Sequence, residues 1–208
     1  MKTKLLLLTI GLIFLFSCKK DETEAVGGSQ SAIGAVNNTF AVSGIPGIQN
    51  FSAKVTALEN GISTVTWSAG ITDNSVLAAL SALSGSTCTS NSFTRTSKYK
   101  MTSEGIESIY PEGNLICVKY DAKVGDTWTQ KIKSRSISRT VTSVSTTDDF
   151  YWNNMQIKTI KVLETGRGLP GVTKIQPVYN HKFGIVCVII YMEDGTTVPI
   201  YIYSKNTN

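Results

Sequence analysis

From about Thr39 onward, apolar and polar residues alternate in short runs broken by glycine, asparagine and proline. That spacing is the signature of half-buried antiparallel strands. Phe51–Leu58 and Ile62–Trp67 flank Glu59-Asn60-Gly61, and an Asn-Gly pair between strand-like runs supplies the positive φ that a tight hairpin needs. Ser92–Met101, Ile106–Tyr110, Leu115–Tyr120, Thr127–Ile132, Ser136–Ser145 and Met155–Leu163 read as further strands. Pro111-Glu112-Gly113-Asn114 is the turn between the second and third of these. Glu193-Asp194-Gly195 turns Gly184–Met192 into Thr196–Tyr203. The run Ile185–Met192 is apolar on both faces, which predicts a central strand covered on both sides. Pro199 cannot donate to a ladder, so the last strand is expected at an edge or with a bulge at that point.

One helix is expected. Asp73-Asn74 can cap Ser75–Leu83, whose Val76, Leu77, Leu80 and Leu83 form a stripe. The pattern therefore predicts a mainly β domain: a single antiparallel, strongly curved sheet, or a sandwich, with one short helix. The curved sheet is preferred because the helical stripe must be buried against something.

The N-terminus follows a different pattern. Lys2 and Lys4 precede an almost unbroken apolar run, Leu5–Phe16. At about 1.5 Å per residue such a run covers ~18 Å, too short for a ~30 Å hydrocarbon core, so it reads as a signal peptide over residues 1–17. Leu15-Phe16-Ser17-Cys18 resembles the bacterial lipobox. The resemblance implies cleavage before Cys18 and acylation of its thiol. Two or three acyl chains bury dozens of methylenes at ~0.8 kcal/mol each, enough for stable anchoring in a membrane. Lys19-Lys20-Asp21-Glu22 resembles the surface-export signal of Bacteroidota lipoproteins and equally fits a solvated linker, leaving the periplasmic and cell-surface faces both open. The rest of residues 18–35 is polar, then Gly/Ser/Ala-rich, and is expected to be a flexible tether to a β-rich domain over residues 36–208.

A length of 208 residues with 41% hydrophobic and 17% charged residues is enough for one cored domain. With Lys2 and Lys4 gone along with the signal, the formal charge of +5 falls by two. The remaining excess is too mild to select a partner, and nucleic acid is not expected. Lys119–Trp128, Arg139–Ser143, Thr147–Phe150 and Asn180–Gly184 resemble segments of uncharacterised Bacteroidota outer-membrane lipoproteins. The resemblance implies an anchored extracytoplasmic β-domain and carries over no catalytic or binding residue.

Candidate chemistry is sparse. His181 is the single histidine. A catalytic role needs a nucleophile and a carboxylate in reach, and no familiar hydrolase or metalloprotease motif surrounds it. Asp148-Asp149 are adjacent, so on a strand they point to opposite faces; no Asp-rich series completes a calcium site, and neither metal nor cofactor is expected. Phe150, Tyr151 and Trp152 are the best ligand-facing feature, flat rings able to stack on a sugar or take a partner's apolar anchor. Trp128 and Trp67 are expected in the core. Lys131, Lys133, Arg135 and Arg139 make a basic stretch better read as a solvated strand face than as a phosphate-binding patch. Gly166–Gly171 lacks the Lys-Ser/Thr of a phosphate loop and reads as a loop between strands. Cys88, Cys117 and Cys187 remain beside Cys18, with one disulfide possible and no spacing that selects it.

The expectation is a non-enzymatic binding or accessory lipoprotein of the outer membrane, its ligand a glycan, a lipid or a protein. Two alternatives accompany it. One is a hydrolase using His181 with a nearby carboxylate or thiol. The other is an envelope assembly protein pairing through an edge strand such as Thr196–Tyr203.

Overall fold

The computed structural model describes residues 25–43, 47–73, 86–89, 91–132 and 134–205. The signal sequence, Cys18, Lys133 and the helix expected over 75–83 lie outside them.

Thirteen strands form one antiparallel sheet. In chain order they are β1 (Thr39–Ser43), β2 (Ile48–Glu59), β3 (Ile62–Ile71), β4 (Ser86–Cys88), β5 (Ser92–Met101), β6 (Gly105–Tyr110), β7 (Gly113–Lys119), β8 (Thr127–Ile132) and β9 (Arg135–Val144). After a hairpin of β10 (Phe150–Trp152) and β11 (Met155–Ile157) come β12 (Ile160–Thr165), β13 (Val172–Asn180), β14 (Gly184–Met192) and β15 (Thr197–Ser204). The spatial order runs β7-β6-β5-β3-β2-β1-β15-β14-β13-β12-β9-β8, with β4 beside β5. The two end strands, β7 and β8, curl round until they approach each other, so the sheet is a nearly closed barrel.

The hairpins expected from turn chemistry form where they were read. Asn60 and Gly61 both adopt positive φ, and Gly195 does so between β14 and β15. Four strands were not expected: β1, β4, β10 and β13. Pro177 hides β13, being a poor strand residue, yet it faces Val188 of β14 where the β12–β13 register passes from Val178 to Ile175. The single strand expected over 155–163 is two strands, because Asn153 and Asn154, both at positive φ, fold β10 onto β11 before β12 begins. β15 is not an edge. β1 pairs with its Tyr201–Ser204 half and β14 with Thr197–Tyr201. Pro199 falls beyond the last β1 pair, Ser43 with Tyr201, and is opposed only by Ile189 of β14 among the described residues.

The stretch to residue 35, expected as tether, is packed from Val26 onward. Val26 and Ile33 are buried, and Gln30 bridges to Thr102. A single 3-10 turn, Ala32–Gly34, plugs one end of the barrel, pinned by Asn38 Nδ2 on the Ile33 carbonyl (2.7 Å) and the Ser63 hydroxyl on the Gly34 carbonyl (2.7 Å). Gly184 must be glycine there. Its φ is +73°, and a Cβ would lie 2.9 Å from Ile33 Cδ1.

β14 is covered on both faces, as its sequence predicts. Ile185 and Val188 look into the barrel, while Cys187 packs outside with Trp152, Ile157 and Phe183 under the β10–β11 hairpin. No helix among the described residues is long and apolar enough to cross a membrane.

Candidate functional site: a lumen with arginines

Strand alternation decides what faces inward. On β5 the inward set is Phe93, Arg95, Ser97, Tyr99 and Met101; on β6 it is Ile106, Ser108 and Tyr110. Of these, Arg95, Tyr99, Met101, Ile106, Ser108 and Tyr110 line a cavity of about 310 Å³ between the Ile33 plug at the floor and the β12–β13 loop at the mouth, where Leu169 reaches its wall. The walls are largely aliphatic and aromatic, with Phe40, Val65 and Trp67 on one side and Ile175, Tyr179 and Ile185 on the other. Burial pushes the Tyr99 phenol up to about 12 and the Tyr179 phenol upward as well, so both stay neutral at physiological pH.

Among the described residues, four charged ones line this lumen: Arg95, Arg139, Arg167 and Glu164. Arg139 and Glu164 are register partners on β9 and β12, each 2% exposed. Arg139 Nε donates to Glu164 Oε2 at 2.7 Å, its Nη2 reaches the same oxygen, and its Nη1 bonds the Ile116 carbonyl on β7. Arg167, from the mouth loop, adds Nε to Oε1 and Nη2 to Oε2 at 3.1 Å. Burial alone would push the Glu164 carboxyl up, but the two guanidiniums overcome it and hold the group below its ordinary range. One carboxylate thus serves two cations, which satisfies the rule that buried charge must be paired.

Arg95 is different. It stands opposite Trp67 on β3 and opposite Ser86 on β4. Its Nε is buried without a hydrogen-bond partner, and so is Ser86 Oγ opposite it. Such atoms are rare in folded proteins and ask for an explanation.

The residues singled out in the sequence are dispersed. Trp152 is buried at 1%, with its indole N–H on the Ile202 carbonyl (2.8 Å) and its ring against Phe183 and Tyr203. Phe150 is half-buried with Lys161 over its ring, and Tyr151 alone of the three is well exposed. His181 is exposed in the β13–β14 turn, outside the cavity, in a turn held by Asn180 Oδ1, which accepts from the Lys182 and Phe183 amides. Asp148 and Asp149 are exposed, Asp149 accepting from the Ser145 hydroxyl. Lys131 and Arg135 are solvated as expected, whereas Arg139 of the same stretch is inside. Cys88, Cys117 and Cys187 are free thiols, and Cys117 borders the lumen. Among the described residues no metal-ligating group of His, Cys, Asp or Glu gathers.

The lumen charges escaped sequence reasoning. Glu164 shares the alternation of Ile160 and Val162, so a polar residue on an inward-facing stripe was the available signal. No family model, curated protein or solved structure matches the chain, so the cavity is read from its own geometry.

Proposed function

We propose that the chain is a lipid-anchored extracytoplasmic binding protein that takes one small, mostly apolar molecule into the barrel lumen. One observation carries the reading: a preformed, largely apolar cavity of about 310 Å³ opens beside a few convergent polar groups. Sites for small ligands have this composition and begin at about this size. Leu15-Phe16-Ser17-Cys18 supports the anchor, with the acyl chains on Cys18 and the outer membrane as the expected location. The exposed Tyr151 leaves a second, outer surface available to a partner.

Uptake of a fluorescent apolar probe such as 1-aminoanthracene tests the lumen. Saturable binding is expected, lost in Val188→Trp, which fills the cavity from β14. Equal binding by wild type and Val188→Trp, both folded, would place the probe elsewhere and end the lumen reading. Labelled palmitate should be incorporated in cells by the wild type and not by Cys18→Ser; labelling of both would remove Cys18 as the anchor.

A further inference from the structure

The lumen is apolar, yet its described lining holds three guanidiniums and one carboxylate. Glu164 is fully engaged by Arg139 and Arg167. The third cation, Arg95, therefore has no carboxylate of its own in the lining, and an unpaired cation beside a low-dielectric cavity is costly. Arg95 Nε and Ser86 Oγ, on a directly opposed pair of β5 and β4, are buried and unpartnered. These are donors converging on one place, the complement of an anion's acceptor oxygens.

The position along the barrel matters as much as the charge. β5 runs from the mouth to the floor, where Met101 packs beside the Gly34 plug. Arg95 precedes Met101 by six residues, or ~20 Å of strand at about 3.3 Å each. Below Arg95 the inward surface passes Ser97, Tyr99 and Ser108 and ends on Met101, Ile106 and Ile33. The polar end of the cavity is thus toward the mouth and the apolar end at the plug. A volume near 310 Å³ accommodates about ten non-hydrogen atoms at ~30 Å³ each.

Resting on the lumen-binding reading above, we propose that the ligand is a single-chain amphiphile of about ten non-hydrogen atoms with an anionic head: the head bonds Arg95 and Ser86, and the alkyl chain descends toward Ile33. The arrangement gives the orphaned Arg95 Nε and Ser86 Oγ a partner and supplies a counter-charge to the one cation that Glu164 does not reach.

Three probes of equal chain length separate the terms: decanoate, 1-decanol and decyltrimethylammonium, titrated calorimetrically into the purified protein. Decanoate is expected to bind roughly 10- to 100-fold tighter than decanol, the range for charge-assisted hydrogen bonds, and the cation weakest. Arg95→Met should abolish the preference, bringing decanoate down to the affinity that this variant shows for decanol. Arg95→Lys, which keeps the charge, should retain part of the preference and guards against misfolding of the first variant, as does a thermal melt of each. Equal affinity for all three probes would overturn the anionic head and leave the lumen reading standing. Saturable 1-aminoanthracene uptake with no binding of any decyl compound would overturn the single-chain ligand alone, and loss of both would overturn the lumen reading too. A decanoate preference that survives in Arg95→Met would move the head-group site away from Arg95.

Discussion

At the scale of single residues, Glu164 is the most consequential side chain. Its carboxylate neutralises Arg139, 2% exposed, and holds Arg167 across the mouth. Glu164→Gln leaves a buried guanidinium without its counter-ion, which costs about 3–5 kcal/mol where a buried pair is broken. Urea unfolding at pH 7 checks this as a lower midpoint. The pH dependence has a definite sign. The folded-state pKa of Glu164 lies below its unfolded value of 4.5, so the stabilisation is fully present above 4.5 and is lost as pH falls through the folded value. Wild type should lose stability below pH 4.5 more steeply than Glu164→Gln; parallel acid limbs would refute the assignment. At the alkaline end, Tyr99 titrates near 12 against 10.0 unfolded, so its contribution persists below pH 10 and fades between 10 and 12, and Tyr99→Phe should flatten that limb. Alternation in the sequence could have put Glu164 on the inner face. Its pairing with Arg139, 25 residues away, depends on the β9–β12 register, which passes over the whole β10–β11 hairpin and includes a shift at Lys161/Val162. No local pattern encodes that.

At the scale of elements, the β10–β11 hairpin and the 3-10 plug each depend on one anchor. Trp152 docks the hairpin, with ring centroids 4.6 Å from Phe183 and 5.8 Å from Tyr203. Trp152→Ala should cost about 3–5 kcal/mol, as large-to-small changes at buried aromatics do. Tyr151→Ala, next to it and 61% exposed, should stay within ~0.5 kcal/mol. Thermal melts of the pair distinguish an anchor from a displayed ring. At the plug, Gly184→Ala meets both the left-handed penalty of about 1–2 kcal/mol and contact with Ile33. Adding Ile33→Val should recover part of the loss, a non-additivity read from the double-mutant cycle. Hairpins with Asn-Gly or Asp-Gly turns were legible because the turn residues carry the geometry themselves. The plug was not: Ser31-Ala32-Ile33-Gly34 has no period, and Ile33 is ordered by the β-barrel it stoppers rather than by its own neighbours. The Phe150-Tyr151-Trp152 triplet was visible as chemistry, but alternation on a strand sends its middle ring out and turns Trp152 in.

At the scale of the molecule, the sheet closes in two different ways, and they should differ in strength. Where the chain's two halves meet, β1 and β15 form a regular ladder from Phe40 with Ser204 to Ser43 with Tyr201. At the other seam, side chains take over. Gln130 Oε1 accepts from the Ile116 amide at 2.6 Å, Trp128 Nε1 donates to the Ile116 carbonyl at 2.9 Å, and Arg139 shares that carbonyl. Most of the longer strands announce themselves in sequence, but neither closure does, since each joins segments whose proximity exists only once the sheet has curled. A seam held by side chains opens by rotamer change, whereas a ladder opens only by breaking successive backbone bonds. Gln130→Ala therefore leaves the Ile116 N–H unsatisfied at a cost of about 1–3 kcal/mol, concentrated at one edge. Hydrogen exchange should show the β7 amides of Leu115–Val118 losing protection by roughly 5- to 150-fold, while β2, β3, β14 and β15 keep theirs. Uniform loss across the barrel would mean that the seam and the β1–β15 ladder open as one unit. Localised loss would identify β7 and β8 as the side of the barrel that gives way first, next to the Arg139–Glu164 pair and the lumen it borders.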